Sequence, residues 1–181
     1  MQDDQIIRFL KDFDLIEARK KAPRKTPKPH QQKAIDAFDK WFSQKDFPRG
    51  GLLVLPTGAG KTFTAVHFLH LRVLNEGYKV LWLAHTHHLL EQAFYGFSSD
   101  LSSIPEPKKH LRVRVVSGTP GHCEPRDIKP DDDVVIGTLQ TIAQAYNKAQ
   151  PQFLKYLEAA KGKLFVVFDE RTTPLRLVIE S

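Results

Sequence analysis

The sequence predicts an α/β domain built on a mostly parallel sheet flanked by helices. Three observations predict it. Short apolar runs alternate with helical patterns from residue 52 to residue 168, the order that parallel strands joined by crossover helices require. Two runs, Leu52-Leu53-Val54-Leu55 and Leu164-Phe165-Val166-Val167-Phe168, are apolar without interruption, as strands covered on both faces are. A glycine-rich turn, Gly58-Ala59-Gly60, separates the first of these runs from a helical pattern.

Taken in order, Ile6, Ile7, Leu10, Phe13 and Leu15 recur near helical spacing and predict an amphipathic amino-terminal helix within residues 1–18. Residues 19–29 form a basic, proline-rich linker, because Pro23, Pro27 and Pro29 forbid a continuous helix. Behind Pro29, the residues Ala34, Ile35, Phe38, Trp41 and Phe42 share one helical face, and Gly50-Gly51 ends the connection. Strands are expected at 52–55, 79–84, 112–116, 133–137 and 163–168, the first and last of them central. Helices are expected at 60–76, 86–97 and 139–149, with another behind Pro151. Asn75-Glu76-Gly77 supplies a left-handed cap, and the Ser- and Pro-rich residues 98–110 a loop.

A chain of 181 residues accommodates one such domain and is too short for two of ordinary size. Hydrophobic residues at 41% and charged residues at 27% are globular proportions. No apolar run approaches the roughly 20 residues that span a bilayer. The acidic opening Met1-Gln2-Asp3-Asp4 lacks the order of a secretory signal, and Cys123 stands alone, so a cytoplasmic location is expected. Lys plus Arg total 27 against 21 for Asp plus Glu. The excess gathers in Arg19, Lys20, Lys21, Arg24, Lys25 and Lys28, which fits either a polyanionic partner or a solvated linker.

The chemistry centres on Leu55-Pro56-Thr57-Gly58-Ala59-Gly60-Lys61-Thr62. A triphosphate needs backbone N–H groups near its oxygens, an ammonium to neutralise them and a hydroxyl for Mg2+, and small residues let the backbone approach. Pro56, Thr57, Gly58, Ala59 and Gly60 supply the turn, Lys61 the ammonium for the β- and γ-phosphates, and Thr62 the hydroxyl for Mg2+. ATP and Mg2+ are therefore the expected cofactors. Leu55 stands where the usual pattern asks for a small residue. The second half of such a site is an acid at a strand end, and Asp169-Glu170 follows the run 164–168. Asp169 is expected to hold Mg2+, and Glu170 to orient or deprotonate the attacking water.

His67, His70, His85, His87 and His88 invite comparison with a metal site, but no Cys or acid cluster joins them in the sequence. His70 falls among Phe63, Val66, Val73 and Leu74, where a satisfied core histidine is the expected outcome.

The two half-sites resemble motifs I and II of superfamily 2 DEAD/DEAH-type helicases. The likeness is greatest to the branch containing restriction-enzyme motor subunits and excision-repair helicases. Lys28-Pro29-His30-Gln31-Gln32-Lys33-Ala34-Ile35 is similar to the family's glutamine motif, which assigns adenine recognition to Gln31, with Gln32 as the fallback. Val80 to Ala93 resembles motif Ia and Ile136 to Ile142 motif Ib, which in the family lie along the nucleic-acid track. The resemblance thus implies nucleic-acid contacts from His85, Thr86, Gln92, Thr138, Gln140 and Thr141, with DNA favoured over RNA. It covers about residues 28–170 in the family's order and implies that residues 30–170 are a RecA-like P-loop NTPase lobe, the amino-terminal ATP-binding half of a two-lobed motor. It also implies a second motor lobe or restriction and repair subunits as partners, and no membrane.

After Glu170 the likeness stops, since the family continues Asp-Glu-Ala-His and this chain reads Arg171-Thr172-Thr173-Pro174-Leu175 instead. Back-translated with permissible codons and with one nucleotide restored after Glu170, the tail becomes Ala-His-His-Ser-Pro-Ala-Pro-Ser-Tyr-Arg-Lys-Leu, close to the family's continuation. Residues 171–181 are accordingly expected to be a frameshifted, non-family tail on an incomplete lobe. Sequencing the coding DNA and finding no motor-like alternate frame would sink that expectation. Nucleotide binding with feeble turnover is expected, because an arginine from the second lobe is worth on the order of 10³-fold in such motors. The sheet edge beside the acid strand is expected to be open, or covered by a short strand containing Leu175, Leu177, Val178 and Ile179. A non-catalytic fragment that competes with an intact motor is the alternative, and a small P-loop kinase is disfavoured by the lack of a basic lid sequence.

Overall fold

Side-chain alternation along strand β3 (Lys79–Ala84) divides the molecule into two layers. Val80, Trp82 and Ala84 enter one core, and Leu81 and Leu83 the other, because successive strand residues point to opposite faces. A computed structural model describes residues 9–44, 50–169 and 175–180.

Strands β4 (His110–Val116), β5 (Val134–Thr138), β3 and β6 (Leu164–Asp169) form a parallel set in that spatial order. Antiparallel strands flank it. β1 (Leu10–Asp14) pairs with β4, β7 (Leu175–Glu180) with β6, and β2 (Gly50–Leu53) with β7. The full order is β1-β4-β5-β3-β6-β7-β2. Helices α1 (Leu15–Lys21), α2 (Pro29–Phe42), α3 (Lys61–Phe68) and α4 (His87–Ser99) cover one face. Helices α5 (Leu139–Asn147) and α6 (Pro151–Ala159) cover the other. The predicted mostly parallel α/β architecture is the one observed. Among the described residues, no helix is long and apolar enough to cross a membrane.

Three elements depart from expectation. Residues 10–14 form β1 and not part of an amphipathic helix, since the Asp14 carboxylate accepts from Ile16 N at 2.8 Å and Glu17 N at 3.1 Å and so starts α1 there. The expected helix at 60–76 is α3 followed by a single π-turn at Leu69–Val73, and Gly77 then takes the left-handed cap at φ 81°. The apolar run at 52–55 is not a central strand. β2 begins at Gly50, ends the sheet among the described strands, and leaves Leu52 55% and Val54 67% exposed.

The predicted linker at 19–29 is partly helix and firmly tethered. Arg19 donates to the carbonyls of Ile104 at 3.0 Å, Pro105 at 3.0 Å and Lys108 at 2.6 Å. Ser102 Oγ donates to the Pro23 carbonyl at 3.2 Å, and Lys28 N donates to Gln31 Oε1 at 2.9 Å. As for the open sheet edge, β7 does lie against β6 as a short strand, yet it is internal, with β2 on its far side.

Candidate functional site

The phosphate loop leaves β2 at Leu53 and enters α3 at Lys61. Gly58 at φ 79° and Gly60 at φ 84° hold the left-handed region that side chains with a Cβ disfavour. A Cβ on Gly60 would also stand 2.5 Å from Gln31 Nε2. Gln31, 7% exposed, explains that closeness, because its amide donates to the Ala59 carbonyl at 3.0 Å while its oxygen caps α2 at Lys28 N. His30 Nε2 lies 3.1 Å from the same carbonyl. Gln31 thus clamps the loop from below, and one N–H and one lone pair of its amide remain for a ligand. Gln32 instead bonds Asp36 at 2.7 Å.

Across the loop, β6 ends at Asp169, which lies beside Ala84 in the parallel register. Thr57, Gly58, Gly60, Lys61, Thr62 and Asp169 line one cavity of about 490 Å³. Burial pushes the Asp169 carboxyl up to about 6, against the pull of the Lys61 ammonium. The Trp82 indole N–H also favours the carboxylate but closes no hydrogen bond of ordinary geometry. A buried carboxyl opposed by a single ammonium, next to a hydroxyl and two left-handed glycines, fits a Mg2+-bound polyphosphate. A divalent cation would draw the carboxyl back down.

α4 brings His88, Leu89 and Gln92 into the same cavity, and Phe63 of α3 completes its wall. Gln92 is therefore placed with the phosphate loop and away from the other residues expected along the nucleic-acid track. His88 and Gln92 sit four apart and share a helix face, a signal present in the sequence. Gly96, one turn further, admits Thr62, whose Cγ2 would lie 3.4 Å from a Cβ there.

A second cavity of about 430 Å³ opens along the same strand ends, lined by His85, His87, Gly118, Thr138, Gln140 and Thr141. Thr138 caps α5 by accepting from Thr141 N at 3.1 Å, and Thr86 caps α4 by accepting from Leu89 N at 3.4 Å. His87, weighed above only as a metal-site candidate, also lines this cavity and is held by Thr119 at 2.7 Å. Gly137 lets α5 close onto β5, because a Cβ there would stand 2.7 Å from Ile142 Cγ1. Glu170 lies outside the described residues.

His67 and His70 are buried and face Asp100, through Nδ1 contacts of 2.8 Å to its carboxylate and 2.9 Å to its carbonyl. Burial would raise the Asp100 carboxyl, but hydrogen bonds from His67, His70 and Ser103 hold it well below the usual range. The expected satisfied core histidine is only half satisfied, since Nε2 of both rings has no partner.

A glycine-rich turn between a strand and a helix, facing a strand-end acid across one cavity, is the arrangement of a phosphate-loop domain. Residues 24–171 match the family described as type III restriction enzyme, res subunit, and the chain belongs to that family. Among solved structures, it is similar to a nuclease-deletion mutant of the Type ISP restriction-modification enzyme LlaGI in complex with a DNA substrate mimic. Identity is 22% and the TM-score 0.49, over 82% of this chain and 18% of that one. No curated protein matches the chain.

Proposed function

We propose that this chain binds MgATP as the nucleotide-binding lobe of a nucleic-acid-dependent, restriction-type DNA translocase. The observation that carries it is the single cavity shared by Lys61, Thr62 and Asp169. Lys61 neutralises the β- and γ-phosphates, Thr62 and Asp169 hold Mg2+, and residues 56–60 wrap the phosphates with backbone N–H groups. Gln31 reads adenine with its remaining N–H and lone pair, and Glu170 orients the attacking water. Membership of a restriction-enzyme family favours DNA over RNA. The groove of His85, Thr138, Gln140 and Thr141 takes its phosphates, with Thr86 shaping the groove through the α4 cap.

Turnover by residues 1–181 alone is slow, because a transition-state arginine from a second lobe or partner subunit completes such sites. Calorimetric titration with MgATPγS tests the binding step. Lys61→Ala should weaken affinity about 100-fold, the worth of a charge-assisted phosphate contact. Equal affinity of variant and wild type rejects the assignment, and robust DNA-stimulated hydrolysis by 1–181 rejects the slow turnover.

A further inference from the structure

The two halves of the cavity belong to different strands that do not touch. β2 leads into the phosphate loop, and β6 ends on Asp169. Between them runs β7, registered to β2 from Gly50↔Val178 to Leu53↔Leu175 and to β6 from Leu164↔Glu180 to Phe168↔Arg176. Among the described strands, β7 is the one partner of β2. The family match ends at residue 171, before β7 begins at Leu175. β7 can occupy this slot only by turning back. Five positions separate it from β6, whereas a parallel neighbour needs a crossover of roughly a dozen residues or more.

We infer that β7 is a positioning element of the nucleotide site, setting the separation of the phosphate loop from Asp169 at two strand spacings, about 10 Å. The inference rests on the proposed nucleotide role of that cavity. β7 carries none of the motif residues. Its contribution is to pair the backbone of β2, which otherwise holds to the molecule through buried Leu53, through Phe38 and Trp41 over Gly51 and through the Gln31 clamp on Ala59. Linkage makes the effect reciprocal, so that nucleotide binding must stabilise β7 as much as β7 stabilises binding.

Hydrogen exchange on the full chain tests this. Without ligand, the amides of 50–53 that bond β7 and the amides of 175–180 should be protected together. MgADP should slow both sets by about tenfold, a usual size for coupling between sites. Leu177→Pro and Val178→Pro each delete one β7 amide, and neighbouring strand residues bond opposite partners, so one variant breaks the β2 ladder and the other the β6 ladder. Both should expose 50–53 to exchange, leave 80–84 and 134–138 protected, and weaken MgADP about tenfold. Fast exchange of 175–180 beside protected 50–53 in the wild type overturns the inference, and so does undiminished MgADP affinity once 50–53 are exposed. Should the proline variants unfold outright, the wild-type exchange with and without MgADP decides alone. If the wild type binds no nucleotide, the proposed function fails by itself. Whether β7 sets the separation of the loop from Asp169 is then decided by joint protection of 50–53 and 175–180 without ligand, whose absence overturns it.

Discussion

The parallel set β4-β5-β3-β6 and the antiparallel pair β7-β2 each contribute half of the candidate site, on unlike foundations. Val80, Trp82, Val134, Ile136, Phe165 and Val167 of the parallel set are fully buried and covered by helices. β2 buries Leu53 but exposes Leu52, and its ladder partner comes from more than a hundred residues further along the chain. The acid therefore sits on the more deeply buried part and the phosphate loop on the less covered one.

The largest expected break is in the more deeply buried half. Phe165 is fully buried and meets the rings of Trp41, Phe42 and Phe68, so Phe165→Ala should cost about 3–5 kcal/mol of unfolding free energy in urea. Leu52→Ala on the exposed strand should cost under about 0.5 kcal/mol. Equal losses would erase the distinction between the two regions.

Asp169 sharpens the comparison through its charge. Its carboxyl titrates near 6 in the fold against an ordinary 3.8, so between those values the folded state holds more protons than the unfolded one. Stability of the Mg2+-free protein from this group then falls as pH rises from about 4 to about 6 and stays level above. Asp169→Asn should raise stability at pH 7.5 by about 3 kcal/mol, by only about 0.5 kcal/mol at pH 4, and abolish Mg2+-dependent nucleotide binding. Thermal melts at the two pH values, with and without MgADP, check each part. A smaller effect than that of Asp169 concerns the groove, where Thr138→Ala removes the α5 cap and should cost about 1 kcal/mol without changing nucleotide affinity.

Much of the site was legible because its determinants are local. The bounds of β3, the left-handed glycines of the loop and the acid at the end of β6 all follow from runs of a few neighbouring residues. What was not legible depends on distant partners. The spacing of Leu10, Phe13 and Leu15 suits a helix as well as the start of a strand, and β4 decides between them by offering a ladder. The apolar run of β2 reads as a central strand until its lack of a second neighbour is known. Gln92 was separated from His85 by the rotation of α4, which core packing of Leu90, Ala93, Phe94 and Phe97 sets.

The tethered basic segment has a consequence of its own. Arg19, Lys20, Lys21, Arg24, Lys25, Lys28 and Lys33 follow one another with no acid among them, and the Arg19 fork and the α2 cap fix where that segment lies. Their charge is therefore presented from a fixed part of the surface, with Lys20 paired to Glu17 at 2.9 Å. Their field reaches about 30 Å in 0.01 M salt and about 8 Å at physiological ionic strength. A polyanion should therefore be drawn to this corner of the molecule most strongly in dilute buffer, and added salt should weaken that attraction.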